Sequence, residues 1–166
     1  MPPKKDWNKY SLAALALAVF AFDQITKLLV RRSMSLGESV AVLGNLFRIT
    51  YVENTGIVFG IHVMNPAVYT VVQLIASVFI IVYLCIRLNQ HAWVRAGLAV
   101  MLGGALGNLL DRVLFHKVVD FIDVGLGHLR WYIFNVADAA IVVGMGLLIL
   151  STYLPRPKDE IPADTV

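Results

Sequence analysis

The sequence predicts an all-α membrane protein, with four transmembrane helices and a small β-sheet between them. Three observations predict it. Of the 166 residues, 58% are hydrophobic and only 15% are charged, whereas soluble domains sit near about 45–50% apolar with about a quarter charged. The mean hydropathy is +0.73, an apolar excess larger than one soluble core of this length hides. The apolar residues also fall in four long runs, each near the roughly 20 residues that a helix needs to cross a hydrocarbon layer.

The first run covers residues 11–30 and opens with LAALALAVFAF. Basic Lys4, Lys5 and Lys9 precede it, and Ala16 and Ala18 offer the small residues of a secretory cleavage site. The run nevertheless continues into DQITK without a polar cleavage region, so a retained helix is expected. The second run, 67–86, carries no charge. The third, 94–114, is glycine-rich, and Gly103 and Gly107 form a GxxxG pattern suited to close helix approach. The fourth covers 136–154. Together with the segments between them these runs form one membrane-embedded domain, residues 1–154, and four crossings put both termini on one side.

Between the first two runs, residues 44–62 read differently. Leu46, Phe47, Ile49, Tyr51 and Val52 favour strand, and Gly56 and Gly60 punctuate them. A small interfacial sheet is expected there, with 115–134 as a similar short segment whose Trp131, Tyr132 and Phe134 suit a membrane surface. The tail, 155–166, is polar and proline-rich and is expected to be disordered. Loop lysines and arginines normally orient such a chain. Here Lys4, Lys5, Lys9, Arg87, Arg95, Arg156 and Lys158 balance Lys27, Arg31, Arg32, Arg48, Arg112, Lys117 and Arg130, so the count is a tie.

The net charge is +3, but the basic residues are scattered between apolar runs, so no stripe exists to grip nucleic acid. The single cysteine, Cys85, excludes an internal disulfide and a multi-cysteine metal site, and helix packing is its expected role. His62, His91, His116 and His128 lack ligand spacing and read as interfacial or loop residues. No metal and no cofactor is expected. HExxH, GxSxG and GxGD are all absent.

The chemistry lies in the acids and amides, because ionisable groups at membrane depth need a partner or a purpose. Asp23, Asn54, Asn108, Asp111, Arg112, Asp120, Asn135 and Asp138 all fall at run ends or loops opposite the termini. Asp138, in FNVAD, reads either as the helix-start partner of an Asn135 cap or as a reactive carboxyl in apolar surroundings. Asp120, in VVDFID, is the second candidate, with Asp123 as an ordinary turn carboxylate. Two carboxyls brought together in a low-dielectric pocket hold one proton between them, which suits peptide hydrolysis. Asn108 and Asp111 share a helix face, and an Asp111–Arg112 ion pair at the helix end is expected. Asn54 and Gly56 read either as donors and flexible backbone beside a site or as a turn. Asp23 and Lys27, four apart, are expected to pair, with lipid head-group contact open to Lys27.

DQITK at 23–27, ENTGIVFG at 53–60, GGALGNLLDR at 103–112, VVDFID at 118–123 and FNVAD at 134–138 together resemble the conserved blocks of the bacterial lipoprotein signal peptidase (signal peptidase II) family. The likeness spans nearly the whole chain in the family's order. It implies four transmembrane helices in the bacterial inner membrane with cytoplasmic termini, and an extracytoplasmic sheet cradle after the first helix. It implies removal of the signal peptide from lipidated prolipoproteins, just before the lipid-bearing cysteine, by two aspartates without a metal, and inhibition by globomycin. The catalytic pair falls on Asp120 and Asp138, and the other polar positions on Asn54, Gly104, Asn108, Asp111, Arg112 and Asn135. The chain departs from the family's usual small residue before the phenylalanine of the second block, carrying Ile57 and Val58. A monomer in contact with membrane lipid is expected. The rival readings are a small transporter or channel subunit, against which the acids cluster at one face without an inverted repeat, and a non-catalytic scaffold.

Overall fold

The computed structural model describes residues 9–56, 65–86 and 92–153. Ile57, Val58, Gly60, His62, His91 and the tail, with the expectations attached to them, lie outside these residues.

Four helices form where the apolar runs lie: α1 (Lys9–Ser33), α2 (Pro66–Ile86), α3 (Ala92–Phe115) and α4 (Val136–Tyr153). Each is long and apolar enough to cross a membrane. They differ in how much of that surface they hide. Half of the most apolar stretch of α3 is buried, against 11–17% in the other three, so α3 is the centre and α1, α2 and α4 pack around it. Its composition explains this. At Gly103 a side chain would meet the carbonyl of Ala16 and Val19 on α1, and at Gly104 the carbonyl of Ala137 on α4; only glycine lets three backbones approach this closely. Leu12, Ala16 and Ala99 then form one buried cluster, and Ile80, Leu98 and Ala105 another. The outward faces keep their large apolar side chains exposed, among them Phe22, Ile75, Phe79 and Val142, as a lipid-facing surface requires. Cys85 is exposed on α2, which corrects its expected place among packed helices.

The sheet holds β1 (Ser39–Leu43), β2 (Phe47–Asn54), β3 (Val118–Leu126) and β4 (Leu129–Arg130), in that order and antiparallel throughout. β2 comes from the first segment expected at the interface and β3 and β4 from the second, whereas β1 lies before the expected bounds of 44–62. Because side chains alternate along a strand, Val119 and Phe121 face one way and, with Tyr51, pack against Val30 at the end of α1. Asp120 faces the other way. Gly127, in the left-handed region at φ +59°, turns β3 into β4, and the returning chain lies beside β3. There the Phe134 carbonyl accepts hydrogen bonds from the amides of Phe121 and Ile122, while the Phe134 amide donates to the Ile122 carbonyl. This tether brings the start of α4 to Asp120.

Candidate active site

At the start of α4 the side-chain carbonyl of Asn135 accepts from the Asp138 amide (3.0 Å), and the Asp138 carboxylate accepts from the Asn135 amide (3.1 Å). This reciprocal cap satisfies helix-end donors that would otherwise be orphaned. The same carboxyl also lines a cavity of about 310 Å³ together with Asp120, Asn54, Asn108 and Arg112. The cap thus aims the Asp138 carboxyl into the cavity.

All four carboxyl oxygens of Asp120 and Asp138 are held by donors. Asn54 Nδ2 donates to Asp120 Oδ2 (2.9 Å) and Asn135 Nδ2 to Asp120 Oδ1 (2.7 Å). Asn108 Nδ2 donates to Asp138 Oδ1 (2.8 Å), and the cap holds Oδ2. Asn135 Nδ2 also reaches Asn108 Oδ1 (3.1 Å). The register of β2 on β3 explains Asn54: it lies opposite Val118, while Asp120 lies opposite Val52, so an amide reaches the carboxyl diagonally across the strands. Burial pushes the Asp120 carboxyl up to about 7; the charge of neighbouring Asp138 adds to this, and the hydrogen bonds from Asn54 and Asn135 oppose it.

Around this pair the structure revises three expectations. Asp111 does not pair with Arg112, because successive helical residues point in different directions. Fully buried Asp111 instead meets Lys27 (3.1 Å) and Arg31 (3.5 Å) on α1, whereas Arg112 donates to Gln73 Oε1 (2.6 Å) and to the Gly56 carbonyl (3.0 Å). Asp23 and Lys27 do pair (2.8 Å), yet Lys27 is only 1% exposed, so it makes no lipid head-group contact. Asp123 is more than a turn residue: it is buried, bonded to Arg130 (2.6 Å) and accepting from Thr50 (2.8 Å) across the sheet.

Gly56 continues the turn reading, since its amide donates to Asn54 Oδ1 (2.9 Å); that bond fixes which end of the Asn54 amide faces Asp120. Gly104 serves close approach to the first turn of α4. Sequence reasoning missed Gln73, which donates to the Ala105 carbonyl (3.1 Å) while accepting from Arg112. A lone amide in the otherwise apolar second run was the available signal. It also missed Gln24, which bridges Asp23 and the Gly107 carbonyl. No group of three or more metal-ligating side chains occurs among the described residues.

Comparison with known proteins shows the family of the chain. A model of the signal peptidase (SPase) II family matches residues 15–154. A lipoprotein signal peptidase of Moorella thermoacetica is 40% identical over 141 residues, covering 85% of this chain and 91% of that one. One of Solibacter usitatus is 38% identical over 163 residues, covering 95% and 96%. A solved bacterial membrane enzyme obtained by the in meso method superposes with a TM-score of 0.80 at 28% identity, covering 93% of this chain and 96% of that one. A second superposes at 0.74 and 28%, covering 89% and 96%. With four apolar helices, a sheet joined to the start of α4 and a family match over most of its length, the chain belongs to the signal peptidase II family of membrane peptidases.

Proposed function

We propose that this protein is an aspartic endopeptidase that removes the signal peptide from diacylglyceryl-modified prolipoproteins, cutting just before the lipid-bearing cysteine, with Asp120 and Asp138 as its catalytic pair. The observation that carries the reading is the set of fixed donors on all four carboxyl oxygens at one cavity. Such donors hold two acids in place without neutralising either, as a pair sharing one proton requires.

Asp120, with its carboxyl near 7, is suited to carry the shared proton, and Asp138 to act as base. A water between them attacks the scissile carbonyl carbon while its proton passes to Asp138 and the Asp120 proton passes to the carbonyl oxygen. Collapse of the tetrahedral species returns a hydroxyl proton to Asp120. The Asp138 proton moves to the leaving nitrogen, and the C–N bond breaks. Asn54, Asn108 and Asn135 hold the two carboxyls. Arg112, tied to Gln73 and the Gly56 carbonyl, supports the wall of the cavity. No step calls for a metal or a cofactor.

In this reading the protein works as a monomer in the bacterial cytoplasmic membrane with both termini in the cytoplasm and the site near the outer leaflet. The acyl chains of the substrate anchor the scissile bond at the depth of the cavity, which turns an encounter in three dimensions into one of fixed height. The test uses purified protein in detergent with one precursor in lipidated and unlipidated forms. The lipidated form is cleaved and the unlipidated form is not; equal cleavage overturns the substrate assignment. Turnover that survives Asp120→Asn and Asp138→Asn overturns the catalytic pair.

A further inference from the structure

Lys27 lies on α1, more than 80 positions from Asn108 in the chain, and is enclosed. Its Nζ meets Asp23 Oδ2 (2.8 Å), Asp111 Oδ2 (3.1 Å) and Asn108 Oδ1 (2.8 Å). Neutralising Asp23 and Asp111 accounts for the first two contacts, but not for the third. An ammonium is a donor only, so the Asn108 side chain must present its oxygen to Lys27 and its Nδ2 to Asp138. The Asn108 oxygen in turn receives Asn135 Nδ2, which directs that amide's nitrogen toward Asp120 and its oxygen toward the Asp138 amide. An amide flip at either position would set an N–H against an N–H.

We propose that Lys27 is a positioning residue for peptide hydrolysis: by occupying the Asn108 oxygen it fixes the direction of the Asn108–Asn135 amide chain, so that both amides donate to the Asp120 and Asp138 carboxyls. The proposal rests on the assignment of those two aspartates as the catalytic pair. Asp23 has a second task that separates it from Lys27, because its Oδ1 accepts from the Ala137 amide in the first turn of α4 (2.9 Å).

Among the described residues, the charged groups packed around the pair are Asp23, Lys27 and Arg31 from α1, Asp111 and Arg112 from α3, Asp138 from α4 and Asp120 from β3; titratable Tyr69 of α2 and Tyr132 line the same cavity, and α2 contributes no charged side chain. Lys27 holds the Asp120 carboxyl below where burial and Asp138 would otherwise set it. Loss of the cation therefore moves the alkaline limb of activity to higher pH, in addition to lowering turnover.

Two variants test this. Lys27→Met leaves Asp23 and Asp111 buried without a neutralising partner, so it is made alone and also together with Asp23→Asn and Asp111→Asn, which removes all three charges and keeps an acceptor for Ala137. Folding is followed by thermal unfolding in detergent, and cleavage of the lipidated precursor by kcat and KM across pH. In both variants kcat falls about tenfold to a hundredfold, since a small misplacement of reacting groups costs up to about a hundredfold, while KM stays within about twofold. Lys27→Met alone also shifts the alkaline limb upward. A triple variant that turns over at the wild-type kcat overturns the inference, since charge neutralisation would then be all that Lys27 does. That result is distinct from failure of the aspartate pair itself, in which Asp120→Asn and Asp138→Asn would remain active.

Discussion

Replacing Asp120 by asparagine separates chemistry from folding in one variant. The folded Asp120 carboxyl is pushed from 3.8 up to about 7, with burial as the main cause. Between those values the folded protein keeps a proton that the unfolded chain has released, so stability is full below about pH 4 and is lost as pH rises through about 7. A shift of roughly three units at about 1.4 kcal/mol each sets this loss at about 4 kcal/mol. The introduced asparagine has no such proton to lose. Its amide nitrogen, however, must face the Nδ2 of Asn54 or Asn135, both of which now donate to carboxyl oxygens, at a cost of about 1–3 kcal/mol. The variant is therefore less stable than wild type near about pH 4 and at least as stable near about pH 8. Turnover falls by about 10²–10⁴-fold at every pH, the range for a lost general acid or base. Urea or thermal unfolding in detergent across this pH range measures the first effect, and cleavage of a lipidated precursor the second. Unfolding curves that stay parallel at all pH values would refute the burial argument for Asp120.

Asp138→Asn lowers turnover over the same range while costing about 1 kcal/mol, because the asparagine oxygen still accepts one of the two bonds to the carboxyl; kinetics and thermal unfolding check both. Asn54→Ala frees Asp120 Oδ2, so kcat falls about 10²-fold, and the alkaline limb of the pH–rate profile moves up, since that hydrogen bond now lowers the Asp120 carboxyl. Gly104→Leu drives a side chain into the Ala137 carbonyl and costs about 1–3 kcal/mol together with most of the activity, read by unfolding and turnover in parallel. Lys117→Ala removes the partner whose hydrogen bond holds the Glu53 carboxyl below its ordinary range. The pair is partly exposed, so less than about 1 kcal/mol is lost. That loss is full above the unfolded carboxyl range and vanishes as pH falls through the depressed folded one; thermal unfolding of both proteins at acid and neutral pH measures it.

Features that depend on neighbouring positions were legible in the chain. Four apolar runs of spanning length became four helices, the four-residue spacing of Asp23 and Lys27 became an ion pair, and the strand-forming residues before Asn54 became β2. Features that depend on which helix faces which were not. Asp111 looks like the partner of its neighbour Arg112 until α1 is laid against α3 and Lys27 proves nearer. Gln73 looks like an isolated amide in an apolar run until α2 brings it to Arg112. Cys85 looks like core until its face of α2 is seen to point away from the bundle. Periodicity tells how a helix is striped and how long it is, but not its rotation about its own axis, and the revisions at Asp111, Lys27 and Cys85 all turn on that rotation.

The Phe134 tether has a mechanical consequence. Two amides of β3 grip a single carbonyl one residue before the cap of α4, so the head of that helix cannot slide along its axis without unzipping the strand beside it. In the proposed membrane setting, a thinner or thicker bilayer is then expected to be accommodated at the far end of α4, near Tyr153, while the start of the helix stays on the sheet.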